Sequence, residues 1–137
     1  MAENPIYELE EDTCWGYLAS QEVGRLGLQT GDRLEIFPIN YCLDGQSIVF
    51  RTAAGTKLDD IDARGDLVFE SDGWNIKGGW SVLIQGEAEV ITDEADLRRT
   101  AKMPLRPWVP TAKATWVRIT PQTISGRGFL FGTETAE

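Results

Sequence analysis

Trp80-Ser81-Val82-Leu83-Ile84-Gln85-Gly86-Glu87-Ala88-Glu89-Val90 is the stretch on which the fold turns. Val82, Ile84, Gly86, Ala88 and Val90 fall on one side of an extended chain, and Ser81, Gln85, Glu87 and Glu89 fall on the other. Successive side chains of a strand point to opposite faces, so a period of two with one apolar face predicts a half-buried antiparallel strand. Upstream, Lys77-Gly78-Gly79 reads as a loop, Leu67 to Glu70 as a brief strand and Ser71-Asp72-Gly73 as the turn that ends it. Before that, Leu58 to Ile61 reads as a short helix. Ser47 to Thr52 is a β-branched strand entered through the Asp44-Gly45 reversal. Arg33 to Asn40 and Arg25 to Gln29 form a hairpin about Thr30-Gly31-Asp32, so three strands make a meander. Cys14, Tyr17 and Leu18 recur at helical spacing behind Glu10, Glu11 and Asp12, which predicts a helix within Leu9 to Ser20.

Downstream of the long strand, Thr92-Asp93 caps a short helix that carries Arg98 and Arg99 in its last turn and ends near Thr100. Three prolines around Trp108 make Met103 to Pro110 a stiff irregular loop. Thr115 to Thr120 and Thr123 to Phe131 read as two final strands. Six to seven short strands with few helices predict a mainly β, closed or nearly closed antiparallel barrel rather than a parallel α/β sheet, because closure protects strand edges.

The chain has 137 residues, 42% hydrophobic and 26% charged, which predicts one globular domain over 1–137 with flexible tails at about 1–8 and 132–137. The acidic start and the lack of a long apolar run give no expectation of a secretory leader or a membrane span, and a cytoplasmic protein is expected. A net charge of −9 repels a phosphate backbone, which argues against nucleic acid and anionic membrane surfaces as partners. There is no histidine, so the commonest general base, metal ligand and haem ligand are all missing. No metal site is expected. Cys14 and Cys42 are read as buried free thiols. A chain so equipped gains redox chemistry most directly from a bound organic cofactor.

Phe50-Arg51-Thr52-Ala53-Ala54-Gly55-Thr56-Lys57 gathers a guanidinium, two hydroxyls, a glycine and an ammonium at one strand end. Arg51 and Lys57 supply charged donors, Thr52 and Thr56 supply neutral ones, and Gly55 lets backbone N–H groups approach an anion. Such a segment suits a phosphate. It reads equally as a solvated polar connection, and no Walker or dinucleotide-fold glycine pattern occurs.

Taken in order, Gly24-Arg25-Leu26, Phe37-Pro38-Ile39-Asn40-Tyr41, Asp44-Gly45, Phe50-Arg51-Thr52 with Gly55-Thr56-Lys57, Gly79-Trp80-Ser81-Val82 with Gly86, and Leu105-Arg106-Pro107-Trp108 resemble the pyridoxamine 5′-phosphate oxidase-related flavin-binding family. The resemblance covers nearly the whole chain. It implies an FMN-binding split β-barrel acting as a homodimer, with the cofactor at the subunit interface. It also implies that Thr52, Thr56 and Lys57 hold the phosphate with Arg51 beside them, and that the backbone of Pro38, Ile39, Asn40 and Tyr41 runs along the flavin ring. Trp80 and Ser81 match a strand start that reaches the cofactor from the partner subunit, and Trp108 lies on a loop placed to cover the ring. Pro38 reads equally as an edge or bulge proline, and Trp80 and Trp108 as interface plugs. Vitamin B6 oxidases of the family grip their substrate with histidine and with a longer C-terminal portion, so vitamin B6 oxidation is not expected of this sequence, which has no histidine. A flavin-dependent oxidoreductase drawing electrons from a nicotinamide or other donor is expected. The alternatives are a non-catalytic FMN carrier or redox sensor, and a reductase using a deazaflavin. No catalytic acid or base is assigned.

Overall fold

In the computed structural model, which describes residues 4–53, 59, 61, 65–105 and 115–132, the alternating stretch is one long strand that begins at Gly78. The elements follow as β1 (Ile6–Glu8), α1 (Glu11–Ala19), β2 (Val23–Thr30), β3 (Arg33–Leu43), β4 (Ile48–Thr52), β5 (Asp66–Trp74), β6 (Gly78–Val90), α2 (Glu94–Thr100) and β7 (Thr115–Leu130). All pairings are antiparallel, in the order β1-β7-β4-β3-β2-β5-β6, and β6 pairs back onto β7. That ladder closes six strands into a ring, with β1 added outside along Arg127–Phe129. The protein is a mainly β, antiparallel split barrel.

Inward positions of the ring build the core. Leu26, Phe50, Phe69, Val82, Ile84, Val117 and Ile119 are fully buried, each contributing about 1.5–3 kcal/mol relative to exposure. Helix α1 lies over one end of the ring with Cys14 and Leu18 buried. Both cysteines are free, and burial pushes their thiols up, so neither is a ready nucleophile. The β2–β3 reversal and the β3–β4 turn place Gly31 and Gly45 at φ 64° and 60°, which only glycine adopts at little cost. The Asp93 side chain accepts from the Asp96 N–H and caps α2 as expected.

Three local expectations are corrected. Ser71-Asp72-Gly73 is not a turn but the continuation of β5, because Ser71 is buried and its hydroxyl donates to the Val23 carbonyl at 2.9 Å. The reversal comes later, where the Asn75 side chain accepts from the N–H groups of Lys77 and Gly78 at 2.8 and 3.1 Å. Consequently Gly78 and Gly79 belong to β6 and not to a loop. The two expected C-terminal strands are one, β7, because the ladder steps from Gln85–Thr123 to Gly86–Pro121 and the bulge absorbs Gln122 beside a proline that has no N–H to give. Finally, Ile6–Glu8 pairs as β1 where only a tail was expected. The expected helix at 58–61 falls mostly outside the described residues.

Candidate functional site

The two segments singled out in the sequence meet side by side. Strand β4 pairs with β3 through Tyr41–Phe50, Cys42–Val49 and Leu43–Ile48, so the Pro38–Tyr41 stretch approaches the end of β4 that carries Arg51 and Thr52. Alternation sends those last two side chains to opposite faces. Thr52 turns inward, is buried, and donates from Oγ1 to the Ala53 carbonyl at 3.3 Å. Arg51 turns outward, with Cζ 5.2 Å from the centroid of the Trp116 ring, a cation–π contact that holds the guanidinium without consuming its N–H donors. Arg51 forms no ion pair with a described residue, whereas Arg25, Arg99 and Arg118 are all engaged with carboxylates. Thr56, Lys57 and Trp108 lie outside the described residues.

On β3, Pro38 and Asn40 face outward while Ile39 and Tyr41 face the core. The strand register pairs Arg33 to Asn40 with β2, and β4 joins only at Tyr41. Pro38 therefore sits where one side of its strand lies outside the ladder, a position that tolerates a residue without an N–H. The Asn40 Nδ2 donates to the Glu22 carbonyl at 3.4 Å. Tyr41 donates its hydroxyl to the Leu18 carbonyl at 2.6 Å, and burial pushes its phenol up to about 12. It is an anchor between β3 and α1, and its main-chain N–H donates to the Glu22 carbonyl at 3.0 Å.

Ser81 also faces outward, paired with Asp72. Trp80 faces inward instead, 8% exposed, its ring stacked on Tyr17 at 4.7 Å between centroids. Between Pro38 and Ser81 lies a cluster the sequence reading passed over. Arg25, the cross-strand partner of both Pro38 and Glu70, reaches Glu70 at 3.0 Å and Asp72 at 3.2 Å. Burial, then the hydrogen bond and negative charge of Asp72, push Glu70 up to about 7 against the pull of Arg25. The signal was present as two acids spaced i, i+2 on one strand face, but a turn assigned to 71–73 concealed it. Among the described residues no group of three or more acids, cysteines or histidines is arranged to hold a metal ion, and no helix is long and apolar enough to cross a membrane.

This geometry offers an outward cation at a strand end, an outward proline strand beside it, and the Arg25–Glu70–Asp72 cluster nearby. The chain as a whole resembles known proteins. An uncharacterised protein of Mycobacterium tuberculosis is 40% identical over 92 residues, spanning 67% of this chain and 84% of the relative. The solved FAD binding protein from Mycobacterium smegmatis is 40% identical, with a TM-score of 0.81 over 92% of this chain and 100% of that one. A Corynebacterium glutamicum structure, provisionally named a pyridoxamine 5′-phosphate oxidase, is 32% identical with a TM-score of 0.86 over 97% and 100% of the two chains. Residues 10–128 match the family model described as pyridoxamine 5′-phosphate oxidase, and the chain belongs to that family.

Proposed function

We propose that the protein is a homodimeric flavin-nucleotide-binding oxidoreductase that recognises the FMN moiety, alone or as part of FAD. The observation that carries this reading is the juxtaposition of the Arg51–Thr52 strand end with the outward Pro38–Asn40 stretch, in a chain that spans the whole of an FAD-binding relative. Arg51, which forms no ion pair with a described residue, suits the phosphate, joined by the sequence-assigned Thr56 and Lys57, whereas the inward Thr52 shapes the strand end. The backbone of Pro38, Ile39 and Asn40 suits the polar edge of the ring. A bound flavin supplies two-electron hydride exchange. The chain's own residues bind and orient it, and Glu70 stands on the same face as a carboxyl able to hold or release a proton near neutral pH.

The dimer finds support in the outer face of the barrel. Leu34 and Ile36 on β3 are 86% and 70% exposed, and Val68 and Leu83 extend this apolar surface across β5 and β6. A surface of this kind beside the candidate ring strand suits a second copy of the chain. Titration of apoprotein with FMN, FAD and a deazaflavin, followed by absorbance and fluorescence quenching, tests the reading. Tight binding of FMN or FAD with a yellow holoprotein is expected. Absence of binding by either sinks it, and preference for the deazaflavin transfers the site to that cofactor. Steady oxidation of a nicotinamide donor marks an enzyme, and binding without turnover marks a carrier.

A further inference from the structure

The outer face of the sheet carries charge in the middle of its apolar surface. We propose that a second copy of the chain docks over the Arg25–Glu70–Asp72 cluster, and that closing this interface takes up a proton on the paired carboxylates of each subunit, so that assembly responds to pH. The inference rests on the homodimer proposed above and adds what regulates it.

Strand register puts the cluster there. Pro38, Arg25, Glu70 and Leu83 stand opposite one another in one row across β3, β2, β5 and β6, and Ile36, Gly27 and Val68 form the next row. Residues directly opposite on neighbouring strands share a face. The exposed Ile36, Val68 and Leu83 therefore flank the charged side chains, and a partner that covers the apolar groups covers the charges with them. In the single chain the side chains of Arg25, Glu70 and Asp72 are 40%, 31% and 32% exposed, so each keeps water that docking removes.

The charges do not balance. One guanidinium nitrogen, Arg25 Nη1, serves Glu70 at 3.0 Å and Asp72 at 3.2 Å, which leaves one carboxylate charge without a counter-charge. Among the described residues nothing nearby corrects this. On β6 the partners of Glu70 and Asp72 are Leu83 and Ser81, and on β3 Pro38 stands across from Arg25. Arg127 on β7 lies beyond Ser81, two strand spacings or about 10 Å from Asp72. Glu22, which lines a cleft with Arg25 and Asp72, and Asp66 with its partner Glu87 at the far end of β5, add only negative charge. Taking an uncompensated carboxylate out of water is strongly unfavourable, whereas a protonated carboxyl that donates to its neighbour is tolerated. One proton between Glu70 and Asp72, with Arg25 on the partner that stays charged, satisfies all three groups. Burial and Asp72 already push Glu70 up to about 7 in the single chain, and a docked copy pushes it further the same way. The chain has no histidine, the usual group that titrates near neutrality.

Sedimentation equilibrium of the full chain between pH 6 and 8.5 tests this. Because the interface favours the protonated carboxyl, the dimer is expected to be tight below pH 7 and to weaken as pH rises, with a dissociation constant about tenfold or more higher at pH 8.5, since each subunit gives up a proton. Glu70→Gln is neutral at every pH, and Asp72→Asn leaves Arg25 with a single carboxylate. Each variant is expected to dimerise as the native chain does at pH 6 and to show no pH dependence. A native dimer whose affinity is constant or tightens with pH overturns the inference and leaves the dimer itself standing. A variant that follows the native profile, or a Glu70→Gln chain that no longer dimerises, also overturns it. Ile36→Asp that still dimerises with the native pH dependence places the interface on another face, with the same result. A chain that is monomeric in the native form and in both carboxylate variants removes the homodimer, and this inference with it.

Discussion

Arg51 and Thr52 are adjacent in sequence yet face opposite sides of β4, and this shapes what each can contribute. A phosphate outside the barrel meets the Arg51 guanidinium more readily than the Thr52 hydroxyl. Lys57→Ala is expected to reduce FMN affinity roughly ten- to hundredfold while leaving the fold intact, since a charged hydrogen bond is worth about 1.5–3 kcal/mol. Unchanged affinity in fluorescence titration removes Lys57 from the site. Glu70 gives a second prediction. Its folded-state pKa of about 7 lies above its ordinary value, so it holds its proton more tightly folded than unfolded, and the associated stability is lost as pH rises through 7. Glu70→Gln keeps a neutral side chain at all pH values. Thermal denaturation between pH 5 and 8 is therefore expected to show a declining profile for the native chain and a flatter one for the variant. The two should differ by on the order of 1 kcal/mol at pH 8, allowing for partial exposure. Parallel profiles would mean that Glu70 ionises normally.

Among the elements, α2 owes its position to charge more than to burial. Arg118 on β7 donates to Asp44 in the β3–β4 turn, to Ser47 at 2.8 Å and to Asp96 on α2 at 2.8 Å, while Arg99 joins the same two aspartates. The hydrogen bond from Arg99, with that of Arg118, holds the Asp44 carboxyl below its usual range, so this link is complete above about pH 4 and weakens on acidification. Arg118 is only 15% exposed, and Arg118→Ala leaves two carboxylates with a single surface cation. A loss of about 2–3 kcal/mol in chemical denaturation is expected, with Arg99→Ala costing clearly less because that side chain is half in solvent. Equal effects would show that the network does not depend on the buried member. Strand β7 offers a further check. A Cβ at Gly86 would meet the Thr120 carbonyl oxygen and the Pro121 backbone, so Gly86→Val is expected to destabilise the barrel by about 3 kcal/mol or to prevent its closure.

For the whole molecule, the proposed dimer can be tested through the apolar outer face. Ile36→Asp places a charge in the middle of that face without touching the core, and it is expected to convert a dimer to monomers by light scattering. If the cofactor site spans two subunits, flavin affinity should fall with it. A variant that remains dimeric with full affinity would move the interface elsewhere. Much of this was legible in the residues themselves. The alternation over 80–90, the glycine-centred reversals at 31 and 45 and the Asp93 cap are local signals, set by backbone sterics and side-chain period within a few residues, and each reappears in the structure. The family pattern likewise follows from ordered short motifs along the chain. Other features depend on residues far apart in sequence. Whether 71–73 turns or extends was decided by Ser71 meeting Val23 and Tyr41, and whether Pro121 ends a strand was decided by a bulge against β6. The shared guanidinium of Arg25 arises only when strands 45 or more residues apart are laid side by side. Local sequence determined strands and turns because those energies are short-range; ring closure chose the neighbours, and with them the charges and cavities, because burial and pairing act between distant segments.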